Sequence, residues 1–266
     1  MRGLKVALLL GVLAVIGAGG VWWLMPRAAS VLVEEARAAA VMPSAEAPLA
    51  VTLAIRNRGG PDRLLSLSSP EAARVVLAAA EDPAGLAIPA GATPSLALDG
   101  AHGMLMGLEG ARTDGRLIPL VLTFAKAGPV SVKARLAAPA TGSGDATGHM
   151  AGHGMHGAEM LELAPAEAPQ VALAATRDGE GWRILADVSR FRFAPEAMDG
   201  AHAPGEGHGH LYVGGLKIGR MTGPELRLGR LPPGRHRVRL TLNTNDHRAY
   251  ATGGTAVTAE IAIEQP

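Results

Sequence analysis

The sequence predicts an all-β protein with two β-sandwich domains that follow an N-terminal apolar helix. Short apolar or alternating runs, such as residues 49–55 and 235–242, recur along the chain between turn signals rich in Gly, Pro and Asn. Strands of this length and spacing are typical of sandwiches. The runs stop before a Gly- and Pro-rich stretch and resume after it. We therefore expect residues 31–138 and 169–266 to fold as separate domains, joined by a flexible linker at residues 139–168.

Composition limits the classes of function open to this chain. Its 266 residues suffice for two domains of about 100 residues with an N-terminal segment and a linker. Aromatic residues make up only 3%, and the net charge is +1, so we expect no nucleic-acid partner. The sequence has no cysteine, which excludes disulfides, thiolate metal sites and a cysteine nucleophile. A transition metal would therefore be held by His, Met and carboxylate side chains.

Residues 1–30 are interpreted as an export signal. Two basic residues precede the apolar run at residues 6–25, which is long enough to span a bilayer and whose flanking charge keeps the N-terminal tip inside. Small residues at 28–30 leave a cleaved signal peptide open as the alternative. We favour a signal anchor in the inner membrane, because the run is long and Trp22 and Trp23 suit the membrane interface. Either interpretation places the rest of the chain in the periplasm.

The first domain contains six apolar or alternating runs that we interpret as strands. They lie at residues 49–55, 63–67, 75–77, 95–98, 117–124 and 130–136. Turn signals separate them, for example at residues 57–60, 99–100 and 127–129. Because each strand must bury one face, short strands divided in this way pack as a sandwich.

One segment of this domain, residues 102–106, combines His and Met at strand spacing. In an extended strand His102, Met104 and Met106 lie on the same face. Imidazole and thioether are soft, uncharged donors that suit Cu(I). Spacing alone leaves an alternative open, in which the strand buries two Met side chains beside a hydrogen-bonded His.

Four short motifs of the first domain form a set. They are NRGGPDRL at residues 57–64, SSP at 68–70, IPAG at 88–91 and HGMLMGL at 102–108. Together they resemble the periplasmic copper chaperone family called PCu(A)C. The resemblance implies a cupredoxin-like sandwich and copper as the cargo. It also implies that His102 and Met104 form one half of the family's copper site.

The sequence departs from the family pattern in the other half of that site. The resemblance implies an earlier His just after the run at residues 75–77, together with a Met. Ala78 stands at this position, followed by Ala79 and Ala80, and no Met is present. Only His102 and Met104 carry over, and two ligands make an incomplete site.

The linker carries a second cluster of soft donors. Its candidate metal ligands are His149, Met150, His153, Met155 and His156, with Met160 just beyond. A short His-rich tract is a compositional sign of metal binding, and thioethers add donors for Cu(I). The alternative is a flexible linker with incidental His. We expect the linker to fold back and complete a Cu(I) site with His102 and Met104, since a dozen flexible residues reach roughly 20 Å.

The second domain, residues 169–266, is expected to be an immunoglobulin-like sandwich. Its strand-like runs lie at residues 171–174, 182–188, 210–213, 216–218, 235–242 and 256–263. Gly214 and Gly215 between two of these runs are typical of a two-residue hairpin turn.

A third group of candidate ligands lies in this second domain. His208 and His210 are two residues apart and share a face in a strand, and His247 follows a later strand. These three could form a site for copper or zinc, with Gly207 and Gly209 allowing close approach. A structural histidine network that braces the neighbouring loop is the alternative.

We therefore expect a copper-binding carrier or chaperone, and not an enzyme. It would bind Cu(I) in preference to Cu(II), with zinc possible in the second domain, and pass copper to an exported acceptor such as a respiratory oxidase subunit. One alternative is a degenerate domain that has lost copper and docks a partner. Another is a metal-dependent enzyme built on the second domain's His cluster, although the H-x-H pair lacks the Asp-His that follows it in metallo-β-lactamase-type hydrolases.

Overall fold

The computed structural model describes residues 29–42, 44, 46–137 and 160–266. These residues form twenty β-strands and one short 3-10 turn, which confirms the all-β fold class. None of the helical structure in these ranges is long and apolar enough to cross a membrane. The expected N-terminal helix and the donor-rich linker lie outside the described residues.

Nine strands make up the first half of the described chain. They are β1 (Val31–Ala40), β2 (Leu49–Asn57), β3 (Asp62–Ser68), β4 (Ala72–Ala78), β5 (Leu86–Ile88), β6 (Ser95–Leu96), β7 (His102–Leu108), β8 (Leu117–Phe124) and β9 (Gly128–Ala137). Hydrogen-bonded neighbours follow the order β4, β7, β2, β1, β9, β8, β3, β5, and β6 also pairs with β2. All of these pairs are antiparallel except β1 with β9.

The core of the first half follows from period-two alternation. In β8 the side chains of Ile118, Leu120, Leu122 and Phe124 are buried, whereas the residues between them are partly exposed. Asp62 carries a buried carboxylate that accepts hydrogen bonds from two backbone amides of the β8–β9 turn. Asp62 belongs to the first motif of the resemblance, so that motif serves the fold.

Eleven strands make up the second half. They are β10 (Met160–Glu162), β11 (Gln170–Asp178), β12 (Gly181–Ser189), β13 (Arg192–Phe193), β14 (Glu206–Val213), β15 (Leu216–Met221), β16 (Glu225–Leu228), β17 (Gly234–Asn243), β18 (Ala249–Thr252), β19 (Thr255–Ala256) and β20 (Thr258–Gln265). The 3-10 turn spans Pro195–Ala197. One sheet has the order β11, β12, β16, and the larger one contains β15, β14, β17 and β20. Buried apolar residues of both sheets form a second hydrophobic core.

The second half begins earlier than the sequence suggested. β10 lies within residues 139–168, the expected linker, and pairs in parallel with β18, where Met160 stands opposite Ala249. Three residues are too few to show a strand period, so the sequence pattern does not reveal this strand. Met160 is therefore a residue of the sheet's edge rather than of the linker.

The two halves adjoin at one end of the hairpin formed by β14 and β15. A single backbone pair, Lys217 with Ser95, joins β15 to β6. Next to it, the amide of Ala101 donates to the carbonyl of Gly215 at 2.8 Å. Each half has its own hydrophobic core, although Leu216 packs in the first core and Ala87 in the second. The division into two separate domains stays a prediction, because this contact links their sheets.

Candidate metal centre

Three imidazole rings converge on one face of the second half. His208 and His210 lie on β14, and His247 lies in the turn between β17 and β18. The ring centroid of His208 is 4.9 Å from that of His210 and 4.8 Å from that of His247. One nitrogen from each ring lies within 4.8 Å of the others. The structure thus brings together the three second-domain ligands predicted from the sequence.

The alternation of β14 explains why two of these rings point the same way. His208, His210 and Tyr212 share one face, and Gly209 points to the opposite, core-facing side. A Cβ at Gly209 would lie 2.6 Å from a terminal methyl group of Leu240, so a larger residue there would require the Leu240 side chain to move. Gly207 has an even closer neighbour, since a Cβ there would lie 1.8 Å from the Asn243 carbonyl oxygen. The glycines therefore let β14 approach β17 closely enough to bury the histidines.

Replacement of Gly207 by Ala is expected to destabilise the protein by about 1–3 kcal/mol or more, because backbone atoms must move to admit the methyl group. His208 is the next residue, so metal affinity is expected to fall as well. Chemical denaturation and zinc titration measure the two effects. Gly219→Ala in β15 is the matched control: among the described residues, nothing lies within 4 Å of its Cβ position. Equal stability of the two variants would contradict this account of the β14–β17 contact.

The turn after β17 positions the third ring. His247 has a φ of 69° and its amide donates to the carbonyl of Thr244 at 3.1 Å. The Thr244 side chain bonds to Asp246, and Asn243 donates to the carbonyl of His247. Short polar side chains stabilise turns by such local bonds. The Asn-Thr-Asn-Asp sequence thus holds His247 against His208.

A carboxylate from the first half orients His210. Asp99 lies in the turn between β6 and β7, and its Oδ2 is 2.7 Å from the Nδ1 atom of His210. The same oxygen accepts from the Tyr212 hydroxyl at 3.0 Å and the Lys217 ammonium at 2.6 Å. Because Nδ1 of His210 donates to Asp99, Nδ1 carries the proton of the neutral ring. Nε2 is then the nitrogen that can bind a metal, and it lies 3.0 Å from Nε2 of His208. Metal-binding histidines commonly have such a carboxylate partner.

His247 has an equivalent partner within the second half. Its Nε2 lies 2.5 Å from Oδ1 of Asp199, which also accepts from Arg220 at 3.0 Å. His208 differs, because its Nδ1 is buried without a hydrogen-bond partner among the described residues. Such an unsatisfied polar atom is uncommon in a well-packed interior and marks the cluster as unlike ordinary core. Two rings oriented by carboxylates and a third ring with one unsatisfied nitrogen fit a metal centre.

Burial keeps the two β14 rings neutral. His208 is 0% exposed and His210 is 3% exposed. Burial lowers the pKa of His208 to about 3, and the neighbouring rings contribute. Burial also lowers the pKa of His210 to about 4, against the opposing effect of Asp99. Burial alone would raise the pKa of Asp99, but the His210 hydrogen bond and the Lys217 charge hold it well below its usual range. At neutral pH the imidazoles are therefore uncharged, as metal ligands must be.

The first-half donors lie on one face of β7, as the sequence predicted. His102, Met104 and Met106 are each partly exposed and alternate with the buried residues Gly103 and Leu105. Nδ1 of His102 lies 2.9 Å from the Gly100 carbonyl, so this nitrogen carries the proton and Nε2 stays available. Because these side chains are partly exposed, this face of β7 could take up a metal ion from solvent and release it.

The structure also places Ala78, which stands where the resemblance implies a His. Ala78 of β4 is directly opposite His102 of β7, and Val76 is opposite Met104. A His at position 78 would therefore stand beside His102. Among the described residues, the methyl group of Ala78 therefore leaves this half-site with the His102, Met104 and Met106 donors of β7. Five sequence-predicted ligands lie outside the described residues: His149, Met150, His153, Met155 and His156.

Four charged residues at the centre were missed by the sequence analysis: Asp99, Lys217, Asp199 and Arg220. Asp99 was interpreted only as part of a turn signal. Asp99 and His210 are more than a hundred positions apart in the chain, and neither strand periodicity nor a sequence motif predicts a contact over that separation. Lys217 carries a weak signal, since a Lys two residues beyond a hairpin turn lies near the strand that precedes the turn.

Comparison with known proteins gives matches for the first half. Residues 31–136, less than half of the chain, match the model of the family described as "Putative lipoprotein LpqE-like". Solved PCuAC domains are among the structures similar to this part of the chain. A copper-bound PCuAC domain from PmoF2 is 23% identical, with 43% of this chain and 97% of that domain covered and a TM-score of 0.38.

Two further solved domains are similar to the same part of the chain. The apo PCuAC domain from PmoF1 is 24% identical, with 43% of this chain and 98% of that domain covered, at a TM-score of 0.38. The solution structure of CuI-DR1885 from Deinococcus radiodurans is 27% identical over 40% of this chain and 76% of that one, at a TM-score of 0.34. Curated protein sequences gave no match.

Proposed function

We propose that this protein is an exported copper carrier whose metal centre is the three-histidine cluster of the second half. The observation that carries the proposal is the convergence of His208, His210 and His247 with nitrogens within 4.8 Å of one another. Two of the rings already hydrogen-bond to outer carboxylates, Asp99 and Asp199, which fixes their orientation before metal arrives. A site ordered in this way loses little entropy on binding.

Copper is the metal best supported by the donor chemistry. The chain has no cysteine, so its soft donors are the thioethers and imidazoles. Uncharged nitrogen and sulfur ligands suit Cu(I), and imidazole also binds Cu(II) and Zn(II). The resemblance of the first half to copper chaperone domains favours copper over zinc, which imidazoles alone do not exclude from the second half.

Export is supported by the apolar run within the first 30 residues and by the word lipoprotein in the description of the matching family. The proposed working place is the periplasm, at the inner membrane or free of it. An exported copper protein, such as a respiratory oxidase subunit, would be the acceptor. His102 and Met104 form the exposed transfer face, because both are partly accessible on β7.

The linker is proposed to complete this transfer face. The motivating facts are the missing His at Ala78 and the five donors at residues 149–156. Loop closure over this distance costs only on the order of a few kcal/mol of chain entropy. We expect coordination by soft donors to exceed that cost.

Replacing His102 and Met104 by Ala, or all five linker donors by Ser, is expected to weaken Cu(I) binding at the transfer face by more than about tenfold, and the combined change should be far from additive. Competition with a Cu(I) chelator measures these affinities in the full chain. The matched control is Met42→Ser, at an exposed methionine outside both groups. Independent effects of the two changes would show instead that the linker is a separate metal trap.

A second candidate function is favoured by one observation. The Asp99–Lys217 ion pair is mostly buried between the halves and ties them together without any metal. The cluster would then be a structural polar network within an interaction protein. Metal analysis of the full chain, offered Cu(I), Cu(II) and Zn(II) in turn, separates the two: a carrier retains a stoichiometric metal after gel filtration, whereas an interaction protein retains none.

A further inference from the structure

We propose that Lys217 and Arg220 set the metal preference of the three-histidine centre, making it a site for monovalent Cu(I) rather than for a divalent ion. The inference rests on the proposed function, since it requires that His208, His210 and His247 bind metal. The added point is that the same three-histidine centre selects a monovalent ion over a divalent one.

Every carboxylate near the rings already has a cation beside it. Asp99 lies 2.6 Å from the Lys217 ammonium, and Asp199 lies 3.0 Å from the Arg220 guanidinium. The carboxylate next to His247 in sequence, Asp246, is likewise paired, with Arg248 at 2.9 Å. The nearest charges therefore cancel in pairs, and the two buried rings of β14 are uncharged at neutral pH.

A further cation lies close to the same face of β14. The guanidinium of Arg239 is 4.4 Å from the centroid of the Tyr212 ring, whose hydroxyl donates to Asp99. Within the part of the chain that the structure describes, the surroundings of the rings thus hold no excess negative charge to offset a bound cation. Calcium sites and thiolate zinc sites include ionised ligands, which supply that offset, whereas a three-histidine centre supplies none from its own ligands.

Lys217 is near enough to the ligand atoms for its charge to matter. Its Nζ lies 3.4 Å from Nε2 of His210. A metal ion bound to that nitrogen at about 2.1 Å would be within about 5.5 Å of the ammonium. Repulsion by a fixed charge doubles when the ion's charge doubles, and it is strong in a site of low dielectric constant. The ammonium therefore offsets the attraction of Asp99, which alone would favour Zn(II) and Cu(II) over Cu(I).

The test is the ratio of Zn(II) to Cu(I) affinity, measured by chelator competition in the full chain. Lys217→Met removes the charge and keeps the length of the side chain, and it leaves Asp99 as a free carboxylate. The ratio is expected to shift toward Zn(II) by about tenfold or more. Arg220→Met is expected to act in the same direction but less, because Arg220 is 38% exposed and screened by solvent. Arg227→Met, at an arginine 73% exposed on β16, is the control and should leave the ratio unchanged.

Two further variants keep the test decisive. Lys217→Arg retains the positive charge and should retain the Cu(I) preference. The pair Asp99→Asn with Lys217→Met removes both charges and should return the ratio toward that of the unaltered protein. If Lys217→Met does not fold, the affinity ratio of Arg220→Met is used instead, because this partly exposed residue can be replaced with less effect on folding. An unchanged Zn(II)/Cu(I) ratio in folded Lys217→Met, or in Arg220→Met if Lys217→Met does not fold, overturns this inference. If the protein without substitutions binds neither metal, the proposed function itself is overturned.

Discussion

Replacement of His208, His210 and His247 by Ala is expected to remove one tightly bound metal ion per chain and to weaken binding at this centre by more than about 100-fold. The loss of an outer-shell partner alone costs about 10–100-fold in metal affinity, so the loss of the ligands themselves must cost more. The measurement is the stoichiometry of bound Cu(I) and Zn(II) in the full chain, with circular dichroism to show that the β structure is retained.

His236→Ala is the matched control for this variant. His236 is also a buried histidine of the second half, but its Nε2 bonds to the carbonyl of Pro232 outside the cluster. Its replacement should leave the stoichiometry unchanged. Should the triple variant keep its full complement of copper, the metal would have to lie on His102, Met104 and the linker, and the three-histidine cluster would be a structural network.

Replacement of Asp99 by Ala is expected to lower the free energy of unfolding by about 3–5 kcal/mol, because it leaves the Lys217 ammonium buried without a counter-ion. The side chains of Asp99 and Lys217 are only 17% and 15% exposed, so solvent screens their attraction little. His210 and Tyr212 lose their acceptor in the same change. Metal affinity is therefore expected to fall by about 10–100-fold as well.

A double-mutant cycle separates the ion pair from other effects of this change. The variant with Asp99→Ala and Lys217→Met has no buried unpaired charge and should recover much of the lost stability. Asp178→Ala, at a surface carboxylate paired with Arg227 across 3.3 Å, is the control and should cost no more than about 1 kcal/mol. A loss at Asp99 as small as that at Asp178 would show that the pair does not hold the two halves together.

One turn of the first half touches both groups of candidate ligands. Asp99 bonds to Nδ1 of His210, and the next residue, Gly100, accepts from Nδ1 of His102. A Cβ at Gly100 would lie 2.7 Å from the Gly215 carbonyl, so the turn is also closely packed on the β14–β15 hairpin. The half-site on β7 and the centre on β14 are thus joined through three consecutive peptide units.

The parts of the site that obey a local period were predictable. Alternation in a strand places His208 beside His210 and His102 beside Met104, and both pairs lie as expected. The polar turn after β17 places His247 close to His208 and His210, as its position just after a strand suggested. The resemblance implied a His at the position of Ala78 as part of the copper site, but it did not predict the strand register that places Ala78 opposite His102.

The remaining parts depend on contacts between distant segments, which a period cannot report. Strand alternation states which face a side chain takes, but not what packs against that face. Asp99 reaches His210 only because the first half packs against the β14–β15 hairpin. β10 was missed because three residues show no period, and its pairing with β18 is set by tertiary packing.

The most direct test of the central claim is the position of copper in crystals of the full chain loaded with one equivalent of Cu(I), located by anomalous scattering at the copper absorption edge. The account predicts a single ordered peak bonded to nitrogens of His208, His210 and His247 at about 2.0–2.1 Å. Copper found only beside His102 and Met104, or no ordered copper at all, would contradict it.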